Sequence, residues 1–443
     1  MFGFNHVLSR RHFMKHMAAG FSALALPSFQ FISGLRAAAP ELKKKGKSII
    51  ILWMSGGPPT IDLWDLKPGA PTNFEDYEPV PTAAEGIKIS PFLPKVASQM
   101  KELVIIRSLS TNEGSHDRGT QLMHTSRAPN PVVTYPSIGS MATYQMRDYN
   151  KDLDLPSFIS IGGSRGGAGF LGAFYAPFNL QNPGTPPANI RPPRSLGTGL
   201  TEKERIRRRQ RLFYAVEDSF ASRVAPHAAN DEQKMKDLGY ATKDHAEIYG
   251  KAFNLVASDR GKVFEIGAED QKYVEEYGNN GFGRGCLMAR KLVEAGVTAV
   301  EVNLGGWDLH GNTLPTLQNQ RLPVLDNGMG TLVKDLKERG LWQDTVLVWM
   351  GEFGRTPRIN QNAGRDHWPR CWSVVIGGGA IQGGQVYGST NADGTNVKDD
   401  KCSVADVFAT LYKGMGIDPA TQIRDNLGRP MPITEGKPLK GLV

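Results

Sequence analysis

The stretch SIIILWMSGGPPTIDLWD, residues 48–65, decides the fold class. It begins with an apolar run of the kind found in strands that are buried on both faces of a sheet. The pair Gly56 and Gly57 follows the run, and glycine allows backbone to approach a ligand closely. Asp62 and Asp65 come next; each is a candidate carboxylate ligand beside that turn, or alternatively a cap of a turn or helix. The stretch therefore predicts a buried strand that ends at a site.

Five more short apolar runs bounded by turn residues follow, at residues 103–107, 158–161, 297–304, 345–350 and 372–376. Helical patterns lie between them at residues 119–124, 283–295, 322–340 and 403–415. This alternation predicts an α/β fold, a three-layer αβα sandwich around a mostly parallel, mixed central sheet. One domain is expected from residue 40 to residue 443. The charged, helical pattern at about residues 195–275 is interpreted as an insertion within it.

Residues 1–39 have the features of an export signal. Residues 9–15 read SRRHFMK, the twin-arginine order, and the moderately apolar stretch at 17–32 is too short and interrupted to span a bilayer stably. Three alanines at 37–39 offer a peptidase site. We therefore expect export by the twin-arginine translocase to the periplasm or the extracellular space, with no stable membrane span. The alternative is an ordinary basic N-terminal helix.

Charge and cysteine content narrow the function classes. The chain has a net charge of +8, and residues 1–39 contribute four basic residues and no acid, so 8 − 4 leaves +4 for the rest. The basic runs at 43–47 and 203–211 are not interleaved with aromatic residues, so no nucleic-acid partner is predicted. The three cysteines, at 286, 371 and 402, lack metal-site spacing and allow at most one disulfide.

Three of the histidines outside the signal lie beside an acid after a predicted strand. They are His116 beside Asp117, His310 two residues after Asp308, and His367 beside Asp366. Functional sites of open α/β sheets gather at the carboxyl ends of the strands. Imidazole and carboxylate groups are usual ligands of zinc and manganese. The pattern predicts a metal site built from these groups.

Two short motifs add a carboxylate and two cations. GEFGRTP at residues 351–357 places Glu352 between glycines at a strand end, a good position for a metal ligand. Arg355 in this motif and Arg365 in GRDHW at 364–368 are suited to bidentate binding of a phosphate or sulfate. The alternative for both is a structural salt bridge, and the anion role is the preferred interpretation.

Together, these motifs resemble an uncharacterised bacterial family, the domain of unknown function numbered fifteen hundred and one. The resemblance rests on the SGGP core within residues 53–68, WDLH at 307–310, the two motifs above and the glycine-rich segment at 377–388. It covers essentially the whole chain after the signal. The family is grouped with alkaline phosphatases, sulfatases and phosphoglycerate mutases, and its members are usually exported by twin-arginine signals. The resemblance thus implies an alkaline phosphatase-like fold.

The resemblance also implies an ordered set of metal ligands. At matching positions this chain has Asp62 or Asp65 as the first ligand, Asp308 and His310 as the middle pair, and His367 as the last. Glu352 stands where the superfamily has Asp, and Phe353 stands where it has a ligating His. One imidazole is therefore missing, and Asp366 is the candidate that replaces it.

The nucleophile position departs from the superfamily as well. Residues 115–127 resemble the sulfatase segment that carries the nucleophile, but counting back from Thr125 places His116 there instead of a hydroxyl or thiol. Histidine can act as a nucleophile, an acid or a ligand, and Ser115 is the neighbouring alternative. Arg118 joins the two other arginines as a group that would neutralise the anion.

The leading hypothesis is an exported, metal-dependent hydrolase of phosphate or sulfate esters. It would use a divalent ion, zinc, calcium or manganese, and act on an anionic small molecule or polysaccharide ester, sulfated polysaccharide included. One alternative is a non-catalytic relative that binds a metal or an anion. Another is a structural cell-surface protein that binds no metal.

Overall fold

The computed structural model describes residues 47–149, 153–187, 201–228, 247–256, 259–267 and 271–443. The predicted export signal at 1–39 lies outside these residues. Residues 46–443 form one compact unit. Among the described residues, no helix combines the length and the apolar character needed to cross a membrane.

The strands of the described chain are, in order, β1 Ser48–Trp53, β2 Val80–Pro81, β3 Lys88–Ile89, β4 Leu103–Leu109, β5 Phe158–Ile161, β6 Phe178–Leu180, β7 Ala299–Asn303, β8 Thr345–Met350, β9 Gly354–Arg355, β10 His367–Trp368, β11 Trp372–Gly378, β12 Gln385–Tyr387, β13 Ser389–Thr390, β14 Val397–Asp399, β15 Gln422–Arg424 and β16 Pro430–Pro432.

The α-helices of the same residues are α1 Pro94–Ser98, α2 His116–Thr125, α3 Ile138–Gln145, α4 Glu202–Ala228, α5 at residues 247–256, α6 Gln271–Tyr277, α7 Gly281–Glu294, α8 Thr313–Thr316, α9 Leu322–Leu325, α10 Thr331–Glu338 and α11 Val404–Gly414. The π-helical turns Leu317–Arg321 and Asp326–Gly330 join α8, α9 and α10 into one continuous helical run.

An eight-stranded sheet with the order β12-β4-β11-β8-β1-β7-β5-β6 forms the centre of the molecule. Strand β11 is antiparallel to both of its neighbours, and the other neighbouring pairs are parallel. The sheet is therefore mixed and mostly parallel. Consequently, β1, β4, β7 and β8 all end at the same edge of the sheet, where the chain between strands must turn.

Alternate side chains of β1 enter different layers of the core. Ile50 and Leu52 pack on one face with the helices α1, α6, α7 and the run from α8 to α10. Ile49 and Ile51 pack on the other face with α2, α3 and α11. Because β1 is buried on both faces, its sequence is continuously apolar.

The predicted fold class, an αβα sandwich with a mostly parallel mixed sheet, is confirmed. All six predicted strands belong to the central sheet, and the four predicted helical segments are helical. The edge strands β6 and β12 were not predicted, because three residues are too few to form a recognisable apolar run. The segment interpreted as an insertion contains α4 and α5.

Candidate metal centre

Several chain segments meet at the edge where β1, β4, β7 and β8 end. Asp308 follows β7, Glu352 follows β8, and His116 is the first residue of α2, which follows β4. The short antiparallel ribbon of β9 and β10 pairs Arg355 with His367. The topology of the sheet thus assembles residues that are distant in sequence.

The ring Nδ1 atoms of three histidines contact oxygen atoms that can only accept. The contacts are His116 to Glu352 Oε1 at 2.8 Å, His310 to Asp366 Oδ1 at 3.0 Å, and His367 to the carbonyl of Gly114 at 2.8 Å. Each Nδ1 must therefore carry the proton, because a carboxylate or a carbonyl oxygen cannot donate. The Nε2 atom of each neutral ring is then an unprotonated lone pair, the form that binds metals.

These three Nε2 atoms converge on one oxygen atom. Oδ1 of Asp308 lies 3.4 Å from Nε2 of His116, 3.0 Å from that of His310 and 3.4 Å from that of His367. The Nε2 atoms of His310 and His367 are 3.2 Å apart. Two unprotonated nitrogens at this distance have no hydrogen between them, and a cation or an added proton would offset the repulsion between their lone pairs.

The donor atoms of His116, Asp308 and His367 fit a divalent ion. They lie within 4.8 Å of one another. A tetrahedral site with bonds of about 2.1 Å places its ligand atoms about 3.4 Å apart, which matches both His–Asp distances. Nε2 of His116 is buried and makes no hydrogen bond. Two imidazoles and a carboxylate suit zinc or manganese.

Arg355 underlies this centre with a fully buried side chain. Its Nη2 donates to Asp308, and its Nη1 donates to Nε2 of His310 at 3.2 Å. Its remaining donors bind the carbonyl oxygens of Gly56, Gly57 and Arg365. Partial burial acts to raise the pKa of Asp308, but the hydrogen bond and charge of Arg355, with the nearby histidines, lower it to about 2. Asp308 is therefore an ionised carboxylate at neutral pH.

The second arginine of the two motifs, Arg365, also has all of its N–H donors occupied by the protein. It forms a bidentate pair with Asp62 at 2.7 and 2.6 Å, and its other donors bind the carbonyls of Thr72, Thr356 and Pro357. An arginine has five N–H donors, and both arginines have all five occupied within the protein. These contacts are of the kind that the alternative, a structural salt bridge, describes, and an anion-binding role for either arginine stays a prediction.

The two acids proposed as the first metal ligand are held elsewhere. Asp62 is buried against Arg365. Asp65 lies 2.9 Å from Nζ of Lys67 and 3.4 Å from Nε of Arg107, and accepts a hydrogen bond from Thr390. Neither carboxylate is brought to the cluster of His116, Asp308 and His367.

The other two predicted groups lie at the start of α2. Arg118 is exposed and forms two hydrogen bonds with Glu113, at 2.8 and 2.7 Å. Ser115 is the exposed N-cap residue of α2, and its hydroxyl makes no capping hydrogen bond. Ser115 is therefore next to the centre with a hydroxyl that the helix does not use.

Glu352 lies behind His116. Its Oε1 accepts from Nδ1 of His116 and from the backbone N–H of Gly56, both at 2.8 Å, while its Oε2 is buried without a hydrogen bond. Gly56 has φ 117°, and a Cβ on it would lie 2.5 Å from the backbone nitrogen of Asp308. The glycine is thus required for close contact between protein segments, and Glu352 orients His116.

An aromatic ring and two polar groups also contact the residues of the centre. Phe353, which the sequence comparison placed where the superfamily has a ligating histidine, is buried with its ring 4.5 Å from that of His367. Asn360 donates to Asp366 at 3.2 Å and so supports the partner of His310. Gly114 and Asn360 were not predicted, because neither a backbone carbonyl nor an isolated asparagine leaves a signal in one sequence.

The profile of one protein family, described as "Protein of unknown function (DUF1501)", matches residues 46–443. The chain belongs to this family. The match covers every residue of the centre described above. No curated protein matches the sequence.

Solved structures that are similar to this DUF1501 member include a sulfatase and an alkaline phosphatase. The PsFucS1 sulfatase from Pseudoalteromonas sp. is 13% identical, with a TM-score of 0.38 over 89% of this chain and 73% of its own. The alkaline phosphatase of the Antarctic bacterium TAB5 is 11% identical, with a TM-score of 0.35 over 84% and 99%. A protein in the alkaline phosphatase superfamily from Vibrio parahaemolyticus is 11% identical, with a TM-score of 0.33 over 84% and 67%. Likeness at this level does not assign an activity.

The DUF1501 centre yields a prediction for Glu352. Glu352→Gln keeps the shape of the side chain but removes the charge that holds the Nδ1 proton of His116. We expect the affinity for zinc or manganese to fall by roughly 10- to 100-fold, the usual effect of losing a carboxylate behind a ligating histidine. Competition titration with a chromophoric chelator measures the affinity. Glu113→Gln, a change of the same type outside the cluster, is the matched control, and equal affinities in the two variants would contradict the role of Glu352.

Proposed function

We propose that this chain is an exported, metal-dependent hydrolase of phosphate or sulfate esters. The supporting observation is the convergence of Nε2 of His116 and His367 with Oδ1 of Asp308. These side chains are 36%, 27% and 47% exposed, so a substrate has access to the same point. Export rests on the twin-arginine pattern in residues 9–15.

A bound divalent ion would supply Lewis acidity and lower the pKa of a water or hydroxyl at this point. His116, Asp308 and His367 would hold it, and Glu352 would keep His116 in the correct tautomer. Arg355 keeps Asp308 ionised. Because each of these residues is fixed from behind, little reorganisation is needed when substrate arrives.

The start of α2 is the proposed anion subsite in place of the two arginines. His116 is the first residue of the helix, and the Ser115 side chain does not cap it. The N–H groups of the first turn are therefore available beside the centre, and such groups favour phosphate or sulfate.

Ser115 is the preferred nucleophile. His116, the other candidate, has other roles for both ring nitrogens: Nδ1 donates to Glu352, and Nε2 would hold the ion. The Ser115 hydroxyl is exposed next to it and unused by the helix. The Ser115 hydroxyl would attack the phosphorus or sulfur atom, so that a bond to Oγ forms while the bond to the ester oxygen breaks and that oxygen takes up the proton released by the hydroxyl. Water would then hydrolyse the ester on Ser115, releasing phosphate or sulfate and restoring the hydroxyl.

Hydrolysis assays test this proposal. The full chain, supplied with zinc, manganese or calcium, is incubated with para-nitrophenyl phosphate, para-nitrophenyl sulfate and a sulfated polysaccharide. We expect release of product from at least one class of ester, with loss of at least 100-fold in Ser115→Ala and His367→Ala and little change in Asp418→Asn, an exposed acid far along the chain. Metal-loaded protein with no turnover on any of these esters would overturn the hydrolase proposal.

The second candidate function is that of a binding protein for a metal or an anion, without turnover. The observation that favours it is the full occupation of Arg355 and Arg365 by the protein itself. In the same experiment, a binding protein would contain one metal ion per chain and would bind an anionic ester without releasing product.

A further inference from the structure

Three polar side chains are enclosed in the layer between α2 and the sheet. Glu301 lies in the middle of β7 and is 0% exposed, Ser160 in β5 is 0% exposed, and His124 near the end of α2 is 1% exposed. None of them belongs to the centre described above. An ionisable pair in this position requires an explanation, because isolated buried charges are strongly unfavourable.

The sheet register places Glu301 and Ser160 side by side. Glu301 pairs with Ile51 of β1 on one side and with Ser160 of β5 on the other. Ile51 packs in the layer that contains α2, so this face of β7 is directed towards the helix. Nε2 of His124 lies 3.4 Å from Oε2 of Glu301. The register and this contact therefore place the three side chains next to one another on one face of the sheet.

The buried polar atoms on this face are poorly satisfied. Both carboxylate oxygens of Glu301, the hydroxyl of Ser160 and Nε2 of His124 make no hydrogen bond, and neither does Oδ1 of Asn303 two residues along β7. The contact at 3.4 Å between Nε2 of His124 and Oε2 of Glu301 joins two of these atoms. A buried polar atom without a partner destabilises the folded state. The unsatisfied atoms of Glu301, Ser160 and His124 on one face of the sheet therefore favour an occupant that neutralises the carboxylate and contacts Nε2 of His124.

The ring of His124 is oriented as a ligand. Its Nδ1 donates to the carbonyl of Thr120 at 2.9 Å, which leaves Nε2 facing Glu301. A charged N–H···O contact between imidazolium and carboxylate would be about 2.7–2.9 Å long. The 3.4 Å separation instead equals the His–Asp distances of the first centre and fits the edge of a tetrahedral site with bonds of about 2.1 Å.

We propose that His124, Glu301 and Ser160 bind a second divalent ion, zinc or manganese, which is structural. The Trp53 ring, 4.2 Å from that of His124, closes the site on one side, and the enclosed position prevents exchange with solvent. The ion would enter as the sheet and α2 come together, so binding contributes to folding. This site does not depend on the proposed hydrolase function.

A proton is the competing occupant. Burial lowers the pKa of His124, but the charge and hydrogen bond of Glu301, the hydrogen bond to Thr120 and the charge of Glu352 together outweigh burial, so the net shift is upward. Without an ion, the pair would hold a proton on Nε2 and form a buried ion pair. Measuring the metal content of the protein distinguishes the two occupants.

Elemental analysis of the full chain after dialysis against EDTA tests the second site. The first centre is open to solvent and is expected to lose its ion, whereas the enclosed site retains one ion per chain. Glu301→Gln is expected to retain none after the same treatment and to unfold at a lower temperature, while Glu338→Gln, an exposed glutamate on α10, retains one. His116→Ala is expected to keep the enclosed ion, which distinguishes the two centres.

Anomalous diffraction at the zinc and manganese edges tests the wild-type chain even if Glu301→Gln does not fold. A peak bounded by Nε2 of His124 and the carboxylate of Glu301 is the expected result. Wild-type protein without metal after dialysis, or crystals of metal-replete protein without a peak there, would overturn the proposal and assign the site to a proton.

Discussion

His116→Ala and His367→Ala are each expected to yield a folded protein that lacks the ion of the first centre. Each change removes one of three ligand atoms that lie within 4.8 Å of one another, and the two ligands that remain leave an exposed ion largely to water. Elemental analysis of protein purified without chelator measures the result as a loss of one ion per chain.

Two further variants serve as a control and as a comparison for this metal measurement. Asp117→Asn alters an exposed acid beside His116 and is the matched control with unchanged metal content. His310→Ala should have a smaller effect than the other two histidine variants, because Nε2 of His310 already accepts a hydrogen bond from Arg355. A metal content that is equal in wild type, His116→Ala and His367→Ala would exclude the first centre.

Arg365→Met is expected to destabilise the protein by about 3–5 kcal/mol, the usual cost of removing one partner of a buried ion pair. The side chains of Arg365 and Asp62 are 0% and 1% exposed, so Asp62 would remain as an unpaired buried carboxylate. Urea unfolding followed by tryptophan fluorescence measures the loss. If Arg365 bound substrate instead, its removal would weaken substrate binding and leave the free energy of unfolding nearly unchanged.

The double variant Asp62→Leu/Arg365→Met is the control for the charge effect. Removing both charges eliminates the unpaired carboxylate, so part of the lost stability should return. Recovery is expected to be incomplete, since the carbonyls of Thr72, Thr356 and Pro357 also lose their donor. A double variant that is less stable than Arg365→Met would contradict this account.

The pH dependence of Arg365→Met follows from the same contacts. Burial raises the pKa of Asp62, and the charge and hydrogen bonds of Arg365 oppose that rise. Without Arg365, the folded state would bind a proton more tightly than the unfolded state, whose Asp pKa is about 3.9. When the pKa of a group is higher in the folded state than in the unfolded state, the free energy of unfolding falls as the pH rises. The loss of stability in Arg365→Met relative to wild type should therefore be smallest below about pH 4 and grow above it.

The sequence predicted the layers of the fold because burial on both faces leaves a continuous apolar run. Strand β1 is the clearest case, with all six residues buried. The edge strands β6 and β12 have only three residues each and pair with one neighbour, so their sequences carry no such pattern. Residues 1–39, which carry the export prediction, lie outside the described structure, and that prediction stands untested.

For the centre, proximity to a strand end predicted which residues meet but not their roles. His116, Asp308, His310, Glu352, Asp366 and His367 are brought together. The roles of the arginines depend on how many of their N–H groups the protein itself occupies, and sequence spacing does not reveal this number. For the six residues that meet at the centre and for the arginines, the assignment as ligand or catalytic group stays a prediction.

The enclosed pair of His124 and Glu301 was missed, although one signal was present. Glu301 is the one charged residue in the mostly apolar run at 297–304, and such an interruption in a strand buried on both faces indicates a partner across the layer. The partner itself could not be found from one sequence, because it lies on a helix 177 positions earlier (301 − 124) and only the sheet register brings the two together.

The hydrogen bond between His116 and Glu352 joins residues 236 positions apart. Contacts of this length form late, since the entropy of closing so large a loop must first be offset by pairing of the intervening strands. A partly folded chain therefore has the ligands but not the site. Metal uptake by refolding protein should consequently lag behind the recovery of the helical circular-dichroism signal. The time of uptake would report when the central sheet is completed.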